Sequence, residues 1–366
     1  MRAVVCRPGG EASIETFAEP TAAATEVVVA VERVQLSVTE CRLFRGDDIA
    51  HREAIDARLA SGPSRLFGHE FCATITATGA GIDRLAVGDR VYAPGKLPCH
   101  SCQSCEAGQE FTCPNRRGIG YELPGALAER VALPAAPLRR VPPTVSAAEC
   151  TALQPLASAL VCVLDADICA GDTIVSVGSG AMGYGCAQLA RRFGASRVIT
   201  VDINPAALEI AASRGFETVD ANERDPVAAI AALTDGLGAD IVFEAVGGAQ
   251  RTAIEPTTPL GQAFRMARMG GRVVQVGHLE GEVAVEPRRL RADRIDWIAP
   301  GRGLRQLSPG LDTGQLAARL VGEGAIDVNS LVGPELAGLE AFDRAVTVGL
   351  DPAGADTLGP AQLVVG

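Results

Sequence analysis

The stretch that most constrains this chain is residues 172–202, DTIVSVGSGAMGYGCAQLARRFGASRVITVD. Thr173 to Val177 is a largely apolar, β-prone run, the pattern of a strand covered on both faces of a parallel sheet. Gly178, Gly180 and Gly183 follow in the G-x-G-x-x-G spacing, and a helix is expected from about Ala181 to Phe193. Gly178 permits the tight turn, Gly180 lets backbone amides approach a pyrophosphate, and Gly183 lets the helix pack closely on the strand. The first helical residues, Ala181 and Met182, would aim free amides and the positive end of the helix dipole at the phosphates. Val198 to Val201 reads as the next strand, and Asp202 ends it where an adenosine ribose would place its 2′ and 3′ hydroxyls. A carboxylate accepts hydrogen bonds from those hydroxyls and repels a 2′-phosphate, and no arginine follows in Ile203 to Ala206, so the pattern favours NAD(H) over NADP(H). A lone glycine triplet is often a plain packing turn; the order strand, turn, helix, strand, acid is what points to a dinucleotide.

The rhythm continues with strands expected near Thr218, Ile241, Val273 and Ile295. Six strands alternating with helices describe an α/β doubly wound parallel sheet. Val246, in Ala245-Val246-Gly247, and Val276, in Val276-Gly277-His278, fall at strand C-terminal ends, where such sheets bind ligands. Upstream the periodicity is different. Val4-Val5, Val27 to Val31, Val34 and the runs within Gly68 to Tyr92 predict an antiparallel β domain with short turns, and Asp47 to Arg65 reads as a charged surface insertion. A helix over Ala147 to Asp165 should lead from the first domain into the second. After about Gly303, one amphipathic helix (Thr313 to Glu323) and an αβ segment are too short for a domain and should pack back onto the first. The 366 residues suffice for two domains, with boundaries expected at 1–153, 154–302 and 303–366.

Charge narrows the partners. Net charge is −11, from 44 acidic against 33 basic residues, without a dense basic block, which argues against nucleic acid or an anionic membrane. The N-terminal stretch lacks an apolar signal core and no run reaches spanning length, so a soluble, cytoplasmic protein is expected. Eleven cysteines in that setting point to reduced thiols or metal ligation rather than a disulfide framework. Four of them, Cys99, Cys102, Cys105 and Cys113, have the spacing with which one tight loop wraps a cation and a fourth thiol closes the tetrahedron. Four thiolates with no vacancy are what a structural zinc needs; His100, inside the loop, is a bystander.

The β-rich first part, the four-cysteine lobe, the dinucleotide fold and the returning C-terminal segment together resemble the zinc-dependent medium-chain dehydrogenase/reductase superfamily, its alcohol and polyol dehydrogenase branch in particular. Gly68-His69-Glu70 matches the family's G-H-E, Val87 to Val91 its V-G-D-R-V, and Gln154-Pro155-Leu156-Ala157 to Asp172 follows its E-P-L-A to P-G-D segment. The resemblance implies a GroES-like β-rich catalytic domain joined to a Rossmann domain, and a homodimer or homotetramer. It also implies NAD(H)-dependent hydride transfer between a secondary alcohol and a ketone on a small polar, polyol- or cyclitol-like substrate. Relatives hold a catalytic zinc through a cysteine in C-G-[ST]-D, the histidine of G-H-E and further Glu or Cys ligands, and that zinc polarises the alcohol oxygen.

The match breaks at this point. The cysteine position is Ser37, in Ser37-Val38-Thr39-Glu40, and the Glu before P-L-A is Gln154. A hydroxyl that keeps its proton near neutral pH is a far poorer ligand than a thiolate. Three readings stay open: a catalytic zinc on His69 and Glu70 rescued by Glu40, Cys41 or Cys72; a catalytic-zinc-free enzyme using protein hydrogen-bond donors, suited to a polarised C=N or conjugated C=C; or a pocket that only binds nucleotide or a partner. Thr39 occupies the position at which relatives pass the substrate proton towards solvent, and a turn threonine bonded to its own backbone is the alternative. Glu40 stands where relatives orient the zinc-bound histidine from behind, with reach enough for direct ligation. Arg42 replaces a relay histidine and could hold a cofactor phosphate or a substrate carboxylate, or be a solvated surface charge.

Overall fold

A computed structural model describes residues 1–248, 258–301, 303–350 and 358–366. The described chain divides into two compact units. One comprises Met1–Ala157 and the segment from Gly303 onward, the other Ser158–Gly301. The expected boundary at residue 302 lies outside the described residues.

In the first unit a seven-stranded sheet runs in the order Glu335–Ala337, Gln362–Val364, Glu26–Gln35, Glu70–Thr78, Arg90–Tyr92, Arg139–Arg140, with Arg130–Pro134 also paired to Glu26–Gln35. All these pairings are antiparallel except that between the two C-terminal strands. The returning segment thus enters the sheet itself: Gln362–Val364 pairs with Gln35, Val34 and Arg33. Val27, Val29, Ile75, Val91, Leu133 and Leu363 are buried in one core. Two shifts of register along Glu26–Gln35 bring its last residue, Gln35, opposite Glu70. The insertion Asp47 to Arg65 contains one helix, Arg52–Ala60, pinned by the buried Ile55.

The second unit is a six-stranded, wholly parallel sheet ordered Glu217–Asp220, Arg197–Asp202, Thr173–Val177, Ala239–Glu244, Ala267–Gln275, Asp296–Ile298. The chain winds outward from Thr173–Val177, crosses back beside it at Ala239–Glu244 and winds the other way. That reversal creates a crevice at the C-terminal ends of the two central strands. The helix Ala181–Arg192 follows the first strand.

The helix expected over Ala147 to Asp165 is two helices, Ala147–Thr151 and Leu153–Asp165. Pro155 explains the break: it has no N–H to donate to Thr151 and its ring crowds that carbonyl. The Ala152 amide instead reaches back to Glu149 at 3.1 Å, a tighter turn.

Candidate functional site

In the second unit the glycine turn is built as its spacing requires. Gly178 has φ +92°, and a Cβ there would lie 2.9 Å from the Ala245 carbonyl carbon; at Gly183 a Cβ would lie 1.8 Å from the Gly178 oxygen. At Gly180 a Cβ would meet nothing within 4 Å, so the turn opens onto free space there. Gly180 is the N-cap of Ala181–Arg192 and supplies no side-chain cap, which leaves the amides at Ala181 and Met182 directed outward without an intrahelical acceptor. Asp202 ends its strand with one carboxylate oxygen on the Ser179 amide and the other 2.8 Å from the Asn204 amide. Both oxygens retain lone pairs for further donors.

Val246 and Val276 lie just beyond the neighbouring strands, and a residue the sequence reasoning passed over holds them there. Glu244, fully buried, accepts the amides of Val246 (3.0 Å) and Gly247 (3.2 Å) on its carboxylate. Its main-chain oxygen takes those of Val276 (2.8 Å) and Gly277 (2.9 Å). An acid directly after the apolar run Ile241 to Phe243 was the available signal.

In the first unit the helix Val38–Arg45 starts at Ser37. The Ser37 hydroxyl accepts the Glu40 amide at 3.2 Å, and Glu40 Oε2 accepts the Ser37 amide at 3.2 Å, a reciprocal capping box. Glu40 is fully buried. Its Oε1 lies 2.7 Å from His69 Nδ1 and accepts the His69 amide at 3.2 Å. The Nδ1 proton is thereby assigned and Nε2 turns towards Glu70, whose Oε1 is 3.7 Å away. Glu70 Oε2 accepts a hydrogen bond from Gln35 Nε2 at 2.8 Å, and Gln35 is tied to Gln362 and Thr151 (3.2 and 3.4 Å). Burial by itself would depress the His69 imidazole, but the charge and hydrogen bond of Glu40, with Glu70 adding, raise it to about 8. Burial pushes the Glu70 carboxyl up to about 7 against the pull of His69.

Tyr121 completes this cluster, and nothing in the sequence motifs had marked it. Its hydroxyl lies 3.4 Å from His69 Nδ1. Its ring stacks on His51 at 4.4 Å and meets His69 at 5.2 Å. Lys96 Nζ sits 5.5 Å from the Tyr121 ring centre, bonded to Glu122 at 2.9 Å and His51 Nδ1 at 3.2 Å. Burial, then Glu40 and Glu70, drive the phenol well above its ordinary value, opposed by a hydrogen bond with Ser37.

The groups considered as rescuing metal ligands are engaged elsewhere. Cys41 is fully buried in the core, its thiol raised to about 12 by burial. Cys72 is a fully buried residue of the strand Glu70–Thr78. Glu40 is hydrogen-bonded to His69 and to the start of its own helix. Arg42 is paired with Asp47 at 2.6 Å, and Thr39 is half-buried on the first turn of the same helix. Among the described residues, the one group of three or more His, Cys, Asp or Glu with converging ligand atoms is Cys99, Cys102, Cys105 and Cys113, all within 4.8 Å of one another. Their sulfurs stand 3.5, 3.7 and 3.5 Å apart for Cys102–Cys105, Cys102–Cys113 and Cys99–Cys113. That is too far for disulfides and close to the roughly 3.8 Å edge of a tetrahedron with 2.3 Å zinc–sulfur bonds. His100 faces Glu110 at 3.0 Å instead.

Comparison with known proteins agrees with this architecture. The family described as zinc-binding dehydrogenase matches residues 181–308, and the family described as alcohol dehydrogenase GroES-like domain matches residues 23–143. An L-threonine 3-dehydrogenase of Bacillus licheniformis is 29% identical over 288 residues, covering 78% of this chain and 79% of that protein. One from Bacillus velezensis is 26% identical over 334 residues, covering 91% and 90%. Among solved structures, a zinc-binding dehydrogenase from Sinorhizobium meliloti 1021 bound to NADP superposes with a TM-score of 0.84 at 27% identity, covering 99% of this chain and 98% of that one. An alcohol dehydrogenase from Thermus sp. ATN1 gives 0.80 at 25% identity over the whole of both chains. With a GroES-like sheet, a parallel nucleotide-type sheet and both family matches in place, the chain belongs to the zinc-dependent medium-chain dehydrogenase/reductase superfamily of oxidoreductases.

Proposed function

We propose that this chain is an NAD(H)-dependent oxidoreductase interconverting a secondary alcohol and a ketone on a small polar molecule. The observation that carries the reading is the open helix N-terminus over Gly180, with Asp202 ending the adjacent strand. The amides at Ala181 and Met182 would receive the pyrophosphate, and Asp202 the ribose hydroxyls. Glu244 fixes the loops carrying Val246 and Val276 against the dinucleotide. When bound, the nicotinamide supplies or accepts the hydride. The NADP named for the Sinorhizobium structure makes the 2′-phosphate the competing case, and Asp202 disfavours it by charge.

The two metal sites separate on their donors. The four-cysteine lobe fits a structural zinc. A catalytic zinc near His69 would find one imidazole nitrogen and one carboxylate oxygen of Glu70, whose other oxygen is held by Gln35, but as a third donor only a neutral hydroxyl engaged as a helix cap, where catalytic zinc sites use three strong protein ligands. That donor set does not fit a resident zinc. A second reading, reduction of an already polarised C=N or conjugated C=C, draws on the same missing thiolate. Turnover of NAD⁺ with L-threonine, 2,3-butanediol, sorbitol and myo-inositol, and of NADH with the matching ketones, tests the first reading. Activity only on imines or enones would favour the second.

A further inference from the structure

Thirty-three residues of this chain are Lys or Arg, and Lys96 is the single lysine. A chain that meets every other demand for positive charge with arginine has kept an ammonium at one place only. Lys and Arg differ where a compact cation must fit a confined polar setting, because the guanidinium fork is wider and planar. Lys96 is in such a setting, about three-quarters buried beside a similarly buried Glu122. Its ammonium faces the ring of Tyr121, whose hydroxyl stands with Ser37 and His69. Tyr121 itself is almost completely buried and packs against two histidine rings. Its hydroxyl is therefore fixed in direction, next to the position where relatives place a thiolate and a metal.

We propose that Tyr121 is the hydrogen-bond and proton donor to the reacting oxygen, with Ser37 orienting its hydroxyl and Lys96 stabilising the charge that develops on its ring. The inference rests on the alcohol–ketone reading above. In the reducing direction a bound reduced nicotinamide would supply the hydride, with its electron pair, to the carbonyl carbon, and the C=O π pair would move onto oxygen. The Tyr121 O–H proton passes to that oxygen, and the phenolate is reprotonated from water through the Ser37 hydroxyl. The two electrons that reduce the ketone to the alcohol would come from the nicotinamide. A donor preorganised in a dry site does for the developing oxyanion what a Lewis acid would do.

The test is Tyr121→Phe, with Lys96→Arg and Lys96→Met beside it, all in the full-length chain. Tyr121→Phe should lower kcat by about 10²–10⁴-fold, with NADH affinity, read by fluorescence, changed by less than twofold. Lys96→Met should lower kcat at least tenfold, and Lys96→Arg should not restore it, whereas a lysine needed only as a salt bridge to Glu122 would be replaced by arginine without loss. Isobutyramide, a carbonyl probe, gives a readout that needs no turnover: it should bind the wild-type NADH complex at least tenfold more tightly than the Tyr121→Phe complex. Ser37→Ala, which keeps the phenol, should weaken the probe by a smaller factor and covers the case in which Tyr121→Phe folds poorly. Equal probe affinity in wild type and Tyr121→Phe, or a kcat within threefold of wild type, overturns the proposal. Probe discrimination without turnover of any alcohol or ketone would overturn the substrate reading and leave the donor role standing.

Discussion

Replacing Glu40 by Gln tests the buried centre of the first unit most sharply. Glu40 accepts from the Ser37 amide, the His69 amide and His69 Nδ1, and its charge is a main reason His69 is raised from 6.5 to about 8. Holding the imidazolium across that interval corresponds to about 2 kcal/mol of stability. The folded value lies above the unfolded one, so the contribution is fully present below pH 6.5 and is lost as pH rises through 8. Glu70 runs in the same sense. Its carboxyl is raised from 4.5 to about 7, so the folded chain keeps a proton the unfolded chain releases, and stability falls as pH climbs from 4.5 to 7. Glu40 contributes to that rise as well. In Glu40→Gln the amide still fills the space and caps the helix, but both pH-dependent effects shrink. Wild type should therefore lead the variant by about 4–8 °C in Tm at pH 6 beyond any difference that remains at pH 9. Differential scanning fluorimetry across pH 5–9 reads this directly. Parallel Tm-against-pH curves for the two proteins would refute the coupling of Glu40 to His69.

Three further outcomes follow from the geometry. Gly183→Ala places a methyl 1.8 Å from the Gly178 oxygen, a backbone clash that only displacement of helix from turn relieves, so NADH affinity by fluorescence titration should fall at least a hundredfold. On the proposed reading Asp202→Ala would remove the acceptor for the ribose hydroxyls and the charge that repels a 2′-phosphate, and the NAD⁺ to NADP⁺ ratio of kcat/KM should fall by at least tenfold, consistent with about 1.5–3 kcal/mol for hydrogen bonds to a charged group. Cys113→Ser replaces the most buried thiol of the lobe with a hydroxyl that keeps its proton, and the purified variant should lose its zinc by elemental analysis and melt several degrees lower.

The parts of the molecule that were legible in the sequence are those encoded by local spacing. Gly178, Gly180, Gly183 and Asp202 lie within one strand–turn–helix–strand unit, and the four cysteines within one loop, so residue type and interval carry the geometry. In the second unit Thr173–Val177, Arg197–Asp202 and Ala239–Glu244 announced themselves as largely buried, mostly apolar runs, and the edge strands Glu217–Asp220 and Asp296–Ile298, polar or exposed, followed from the regular interval alone. What escaped depended on contacts between distant segments. Gln35 supports Glu70 only because a twice-shifted register sets them opposite each other, and Gln362 joins them only because the C-terminal strand returns to the same sheet. Tyr121 comes from a loop after the cysteine lobe, with no periodicity to suggest that its hydroxyl would reach Ser37 and His69. The break at Ala152 was readable from Pro155 and was outweighed by the apolar run around it. The ligand position at Ser37 was readable as a loss, while what replaced it was not.

The most direct test of this account is the metal content of the purified chain. Elemental analysis should find one zinc per chain, released only when thiol-reactive mercurials attack the four-cysteine lobe, with Ser37→Cys needed before any second zinc is taken up. Two zincs per chain in the unaltered protein would contradict it, and would return the reacting oxygen from Tyr121 to a metal.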